Sequence, residues 1–562
     1  MEIIKFFQKA SLLMLLITAA AGSIWPNTIL LIAFASVSLS WFLFRLIQDR
    51  AFSRMLILCL LLTIFGLSAY LGWQNAYNPT NGFTKFLILS GAISLGALLS
   101  TFRSEDGPNG LVVSLSVGAF FLAGAFVSIP ILDISRSDLL TDNRLAGLIA
   151  ILTPFIVLAY RTASSSLRWI LGVGFLSVCG VLIISGSRGG VVSLGIGLIA
   201  WWFFAVMPNT KSHNVKFGLV VSFILLIGLG ATAYLLSPKL LNSPLVNIPG
   251  AESRIQLYAN HRYLVNDYWL LGAGLDTFAG NYSQYILSVP FLRFTYGHHL
   301  YVDLLLELGL VGILAFLAIY LTSFYKIIQA KGHLDQSQTN FYGAILASII
   351  TLLLHGFIDD AVFGDSGSLL LLVPASLAFS LNRPASNKRQ IIYISIGCFL
   401  IFSTTGLFFF NSIRSNWASN KAAIEMAKIE LVSWPTNEWS SGEKSNSLNP
   451  IKNSLIGQTE SGSSNVTASY RLGLIEMESR NFQAAVQHLE LAASQKPNHI
   501  GIIKNLGYAH LWSGNFDEGL VRLSTLPDIQ QEADAYIWWW ASLDEPELSE
   551  IAQEAKNSGL LR

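Results

Sequence analysis

Residues 109–129 read NGLVVSLSVGAFFLAGAFVSI and contain no charged side chain. A helix needs about 20 apolar residues to cross the roughly 30 Å hydrocarbon core of a bilayer. This stretch is long enough and therefore predicts a membrane-spanning helix. Thirteen segments of this kind are predicted, at 8–25, 28–47, 54–72, 83–101, 109–129, 145–160, 167–185, 190–206, 216–236, 300–325, 341–358, 366–382 and 390–410.

The composition divides the chain into a membrane part and a soluble part. Of its 562 residues, 52% are hydrophobic and only 12% are charged, about half the usual soluble value. Residues 1–412 carry 39 charged side chains and residues 413–562 carry 30. These values exclude a disordered chain, a basic nucleic-acid-binding protein and an ordinary cytosolic enzyme. They predict an all-α protein with a polytopic membrane domain at 1–410, an exit helix and linker at 411–466, and a helical repeat domain at 467–562.

The distribution of positive charge predicts the orientation, because cytoplasmic loops are enriched in Lys and Arg. With the N-terminus in the cytoplasm, 15 of these cations fall on the cytoplasmic side and 8 on the other. We therefore expect a multi-pass protein of the bacterial cytoplasmic membrane, in contact with its lipids. Loop 237–299 and the C-terminal domain are then periplasmic. The first segment is alternatively a cleaved signal peptide, which would leave the remaining topology unchanged.

The soluble tail contains an internal repeat of 34 residues. Leu472-Gly473 recurs as Leu506-Gly507, and Asn481-Phe482 recurs as Asn515-Phe516. This period and pattern resemble tetratricopeptide repeats, with units at about 467–500 and 501–534. A third helical pair is expected before or after them, because two units bury little core. Such repeats bind other proteins, so a protein partner is expected at the tail and any chemistry in the membrane part.

Arg188 lies between two predicted spans with almost no loop, in the run Ser185-Gly186-Ser187-Arg188-Gly189-Gly190. A cation at a helix boundary is costly unless it reaches the membrane surface or finds a partner. One interpretation is a surface anchor. The other is an anion site, where small neighbours leave room for a phosphate held by the planar guanidinium.

Ionisable residues gather where loop 237–299 meets the tenth predicted span. His299, Asp303 and Glu307 are spaced by four residues and so share one helix face, and His298 precedes them. Ionisable groups within a span are candidates for a functional site. A buried polar network that only packs helices is the alternative.

Four motifs in this order resemble those of a known family. They are Asp142-Asn143-Arg144-Leu145-Ala146-Gly147, Ser185-Gly186-Ser187-Arg188-Gly189, Ser253-Arg254 followed by Trp269-Leu270-Leu271-Gly272-Ala273-Gly274, and His298-His299-Leu300-Tyr301 followed by Glu307-Leu308-Gly309. Over roughly residues 140–325, the chain resembles the superfamily of O-antigen ligases and O-antigen polymerases, which includes bacterial protein O-oligosaccharyltransferases.

The resemblance implies transfer of a glycan from an undecaprenyl-diphosphate carrier to a lipid- or protein-linked acceptor hydroxyl outside the cytoplasmic membrane. Arg188 and Arg254 would stabilise the diphosphate leaving group, and His298 would act as the base. The family usually has asparagine where this chain has His299. The resemblance also places five residues in substrate binding: Arg144, Arg262, His299, Asp303 and Glu307. The family is thought to invert the anomeric carbon.

No metal ion or cofactor is expected, since the outer loops contain no Asp-x-Asp pair. Asp359 and Asp360 could approach the same site, but the sequence does not determine the distance. Three enzyme functions fit the motifs: a ligase, a polymerase and a protein oligosaccharyltransferase, with the ligase ranked first. A flippase or scaffold without enzyme activity is the alternative from another class.

Overall fold

The fold consists of helices joined by turns and loops. A computed structural model describes residues 2–48, 52–102, 109–131, 143–206, 251–286, 296–364, 367–381, 410–432, 442–460, 465–526 and 529–561, and no strand occurs among them. The helices of the N-terminal half are α1 Glu2–Ile24, α2 Thr28–Gln48, α3 Phe52–Asn75, α4 Pro79–Leu99, α5 Asn109–Ile131, α6 Asn143–Thr162, α7 Ser165–Ile184 and α8 Arg188–Val206.

In the second half of the membrane part, the described residues form two shorter helices and two spans. In chain order they are α9 Ala251–Tyr268, α10 Phe278–Ile286, α11 Leu300–Ala330 and α12 Gln336–His355, and a short helix α13 follows at Val373–Ala378. Nine described helices are long and apolar enough to cross a membrane, and α1 adds a shorter apolar stretch at Lys9–Ile24. The multi-pass prediction is thus confirmed. The predicted spans 216–236 and 390–410 lie outside the described residues.

Helix contacts place the predicted outer ends of the spans together. The Arg144 guanidinium, at the start of α6, donates to the carbonyl of Ser23 at the end of α1. Gly147 of α6 packs against His355 at the end of α12. Leu300 at the start of α11 donates its amide to the carbonyl of Gly356, which directly follows α12. These ends form one face of the bundle, called here the site face.

The segment predicted as a span at 366–382 is not a membrane-length helix. Its described residues, 367–381, are all buried and contain only the six-residue helix α13. The Tyr320 hydroxyl donates to Leu371 O at 2.5 Å, and the Ser323 hydroxyl donates to Ala375 O at 2.8 Å. Irregular backbone is tolerated at membrane depth where it is surrounded by protein and its polar groups are satisfied. Neighbouring side chains therefore replace the hydrogen bonds of a regular helix.

The described residues of the tail form four antiparallel helix pairs. They are α14 Phe410–Glu430 with α15 Gly442–Glu460, α16 Val466–Glu478 with α17 Phe482–Gln495, α18 Ile500–Trp512 with α19 Phe516–Leu523, and α20 Ile529–Ser542 with α21 Pro546–Asn557. Gly473 packs against Leu489, and Gly507 packs in the same way against Leu523. The 34-residue repeat is confirmed, and helical pairs occur both before and after the two predicted units.

The tail docks on α9, the helix of the predicted outer loop. Asp267 accepts a hydrogen bond from the Thr467 hydroxyl at 2.6 Å, and Arg471 forms an ion pair with Asp267 at 3.3 Å. The amide of Leu271 donates to Asn420 at 2.6 Å. Because Asp267 and Arg471 are both buried, the repeats and the membrane part share one interior at this seam.

Candidate functional site

The glycine-rich helix starts of α6 and α8 converge on the loop that follows α12. A Cβ at Gly147 would collide with Ala361, and a Cβ at Gly189 would lie 2.9 Å from Ile358. Both helices can approach this loop because glycine has no side chain at the contact. The motifs around Arg144 and Arg188 therefore meet residues 355–361 on the site face.

His298 lies on this loop's border and pairs with Asp359. The ring Nδ1 is 3.1 Å from Asp359 Oδ1. The Asp359 carboxylate is buried, whereas the His298 side chain is 24% exposed. The hydroxyl of Tyr258 from α9 lies 2.8 Å from His298 O and 2.9 Å from Ile358 O. These contacts hold His298 with its backbone in the left-handed region, at φ 54°.

The Asp359 carboxylate determines which nitrogen of His298 can act as a base. A carboxylate only accepts hydrogen bonds, so Nδ1 carries the proton in this pair. The lone pair of the neutral imidazole is then on Nε2, on a side chain that is partly open to solvent. A base oriented by a buried carboxylate is the arrangement that proton abstraction from a hydroxyl requires.

His299 has a different role, because its side chain caps α11. The Nδ1 atom accepts a hydrogen bond from the amide of Val302 at 3.3 Å. Burial lowers the pKa of His299 to about 4, so its ring remains neutral and can accept. Asparagine is among the best residues at such a cap. The histidine therefore provides the cap that an asparagine could provide at this position.

We expect His299→Asn to retain stability and His299→Ala to lose about 1 kcal/mol of it through the lost cap. The folded-state pKa of about 4 lies below the ordinary 6.5. Protonation thus favours the unfolded chain, and stability is lost as pH falls from about 6.5 towards 4. The asparagine variant should lose less over this range. Denaturant unfolding in mixed micelles at pH 7.5 and 5 measures both effects, and a larger pH loss in His299→Asn would contradict the assignment.

A pair of acidic side chains, Asp303 and Asp360, lies close to His298. Both carboxylate oxygens of Asp303 accept from the amide of Gly297, at 3.1 and 3.2 Å. Asp303 and Asp360 are buried and lie close enough to interact directly. Burial raises the pKa of Asp360 to about 6. Two buried carboxylates in contact disfavour a second negative charge.

Glu307 forms a buried ion pair with Lys85 from α4. The Lys85 ammonium is 2.8 Å from Glu307 Oε2 and donates to Gly364 O at 2.6 Å. Glu307 also accepts from the amide of Asp276 at 3.1 Å. The pair therefore links α4, α11, the loop after α9 and the loop after α12. Glu307 thus belongs to a buried polar network that joins helices. Its role as a substrate ligand remains a prediction.

Two glycine motifs of the sequence interlock at a break in α11. Gly309 has φ 70° and ψ −175°, which interrupts the helix. The freed carbonyl of Leu306 accepts from Ala273, and the amide of Leu310 donates to Leu270 O. A Cβ at Gly309 would lie 2.6 Å from Leu270 O. The loop after α9 therefore enters the break and connects the docked tail to the helix that carries Asp303.

The predicted arginines separate into different environments. Arg188 is exposed in the first turn of α8, with no polar partner for its guanidinium within the described part of the chain. Arg144 is buried and donates to Ser23 O and Gly367 O, so it ties α1 to the irregular segment. Arg262 donates to the Tyr263 hydroxyl, which contacts Asn498 of the tail. Arg254 lies in α9, and its side chain lies outside the described ones.

The sequence did not single out Lys85, and it left Asp359 without a partner. A lysine within an otherwise apolar segment was the available signal for the first. His261 was likewise passed over. It is buried beside Gly297, and burial lowers the pKa of its imidazole well below the usual value. Among the described residues, no group of three or more His, Cys, Asp or Glu side chains is arranged to hold a metal ion.

The comparison with known families supports the tail assignment. Residues 476–538 match the family model of the tetratricopeptide repeat. No curated protein sequence matches the chain. The fold and the match together define an all-α multi-pass membrane protein with a tetratricopeptide-repeat domain at its C-terminus.

Proposed function

We propose that this protein is a glycosyltransferase of the O-antigen ligase type. It would move a glycan from an undecaprenyl-diphosphate carrier to an acceptor hydroxyl at the outer face of the bacterial cytoplasmic membrane. The observation that supports this most directly is the His298–Asp359 pair. Its base lies on the same face of the bundle as the exposed cation Arg188.

The proposed reaction is a single displacement. His298 Nε2 takes the proton of the acceptor hydroxyl, and the acceptor oxygen bonds to the anomeric carbon. The bond from that carbon to the diphosphate oxygen breaks, and the lipid diphosphate leaves with the electron pair. Arg188, and Arg254 as the sequence resemblance implies, would stabilise the charge on the leaving group. One displacement inverts the anomeric carbon.

The acceptor distinguishes the three related enzyme functions. A ligase transfers the glycan to lipid A core, and a polymerase transfers it to a new repeat unit. A protein transferase transfers it to Ser or Thr of a protein. The docked repeats could present a protein, and this observation keeps the third function open. Mass spectrometry of surface glycans from a deletion strain separates them. Lipid core without chain indicates a ligase, single-repeat caps a polymerase, and unmodified protein the third function.

Arg188→Lys should reduce glycan transfer sharply although the charge is kept. Lysine lacks the planar fork that binds two phosphate oxygens at once. The assay follows product in membranes supplied with carrier-linked donor. Arg414→Lys is the matched control, because Arg414 is also exposed but lies in α14, outside the proposed site. Full activity of the Arg188→Lys variant would indicate that Arg188 is only an anchor at the membrane surface.

The same assay tests the flippase or scaffold. A non-enzymatic transporter would move the lipid-linked glycan across the membrane without forming product. If Arg188→Ala loses transport while transfer continues, the transferase proposal is wrong. Loss of transfer with intact transport supports it.

A further inference from the structure

A groove lies at the end of the bundle opposite the site face. Its cavity measures about 800 Å³ and lies between the end of α6, the start of α7 and the end of α8. The start of α8 packs against Ile358 on the site face. Its other end borders the groove, and Phe204 near that end contacts Lys331, which follows α11 and does not line the groove. The charge distribution predicts this end to be cytoplasmic.

Two arginines border the groove from the two sides of the α6–α7 turn. Arg161 and Arg168 both line it and are both exposed. The guanidinium of Arg161 lies over the ring of Trp201, 5.9 Å from its centroid, and Arg168 Nε donates to Ala163 O at 2.9 Å. No Asp or Glu is among the lining residues within the described part of the chain. The groove therefore presents positive charge without a counter-ion.

The other lining residues are mostly apolar, and several of them lie along the exposed side of α7. Trp169 is 80% exposed, and Val173 and Leu176 further along α7 are 63% and 69% exposed. All three line the groove. Trp and Arg at a span end lie at headgroup depth, while the following apolar residues lie at the depth of acyl chains. The groove thus has a cationic end for a headgroup and an apolar continuation for its chains.

We propose that this groove binds an anionic glycerophospholipid of the leaflet opposite the site face. The phosphate would lie between Arg161 and Arg168, and one acyl chain would follow α7 past Trp169 and Val173. Basic pockets between spans on the cytoplasmic side suit anionic headgroups. A volume of about 800 Å³ suits a headgroup with the first part of its chains. This site is separate from the proposed transferase site and does not depend on it.

The test measures the melting temperature of the full chain in detergent during titration with phosphatidylglycerol, phosphatidylcholine or inorganic phosphate. We expect a saturable rise with phosphatidylglycerol alone. Arg161→Gln/Arg168→Gln should bind phosphatidylglycerol roughly 30-fold more weakly, as expected for the loss of two cations near a phosphate. Arg161→Lys/Arg168→Lys should lie between the two, because it keeps the charge and loses the fork.

Lys326→Gln/Lys331→Gln is the control, since it removes two cations from the same end outside the groove. Its phosphatidylglycerol affinity should stay within about twofold of the unmodified protein. If phosphatidylcholine raised the melting temperature as much as phosphatidylglycerol does, the groove would not select an anionic headgroup and the proposal would be wrong. An equal response to inorganic phosphate would make it an anion site without lipid. Unchanged binding in the Arg161→Gln/Arg168→Gln variant would also overturn it.

Discussion

Replacement of His298 by alanine is expected to lower glycan transfer by about 10²–10⁴-fold, the usual contribution of a positioned general base. Donor binding should largely survive, because it is assigned to the arginines. Turnover and donor binding of the variant in nanodiscs measure the two effects separately. His333→Ala is the matched control, since His333 is exposed between α11 and α12, away from the site face.

The Asp359→Asn variant tests the orientation of the same ring. An amide can donate to Nδ1, which would move the imidazole proton to Nε2 and remove the base. We therefore expect a large fall in turnover, with donor binding retained. If His299→Ala is inactive and His298→Ala is near wild type, the assignment is wrong by one residue.

Lys85→Met is expected to destabilise the protein by about 3–5 kcal/mol, because it leaves Glu307 buried without its cation. The ion pair is fully buried and also holds the loop after α12 through Gly364 O. Denaturant unfolding in mixed micelles measures the loss. The same variant should shift the Asp359 loop and so reduce transfer.

A second substitution separates charge from volume. Lys85→Met/Glu307→Met removes both charges at similar volume and should recover much of the stability, as replacement of buried ion pairs often does. Lys326→Met is the control, because Lys326 lies over the Phe379 ring and forms no ion pair within the described residues. Equal losses for Lys85→Met and Lys326→Met would show that the Lys85 pair carries little stability.

The docked tail has a consequence for how a partner could act on the site. Asp267 and Tyr268 hold Arg471 of the repeats, and the loop that follows them fills the break at Gly309. Six residues before that break, Asp303 holds Gly297 beside His298. A protein that binds the repeats therefore contacts a unit joined to the site by hydrogen bonds, not a free appendage.

The membrane class and the repeats followed from the sequence because both depend on local patterns. An apolar run of about 20 residues is long enough to cross the bilayer, so it marks a candidate span without any knowledge of its neighbours. A 34-residue period likewise specifies a stacked unit. The segment 366–382 shows the limit of this argument. It has the composition of a span, yet side chains such as Tyr320 and Ser323 satisfy its backbone, so it need not be a helix.

The candidate site divides in the same way. The sequence alone determined that His298, His299, Asp303 and Glu307 lie together at a span start, because helical spacing is local. Only the tertiary structure decided that His298 pairs with Asp359, 61 residues away, and that Glu307 pairs with Lys85, 222 residues away. Local spacing holds no information about such partners. These partners are determined when the helices pack. A charge that is buried without a partner in a low-dielectric interior costs free energy, so packing favours arrangements in which such charges are paired.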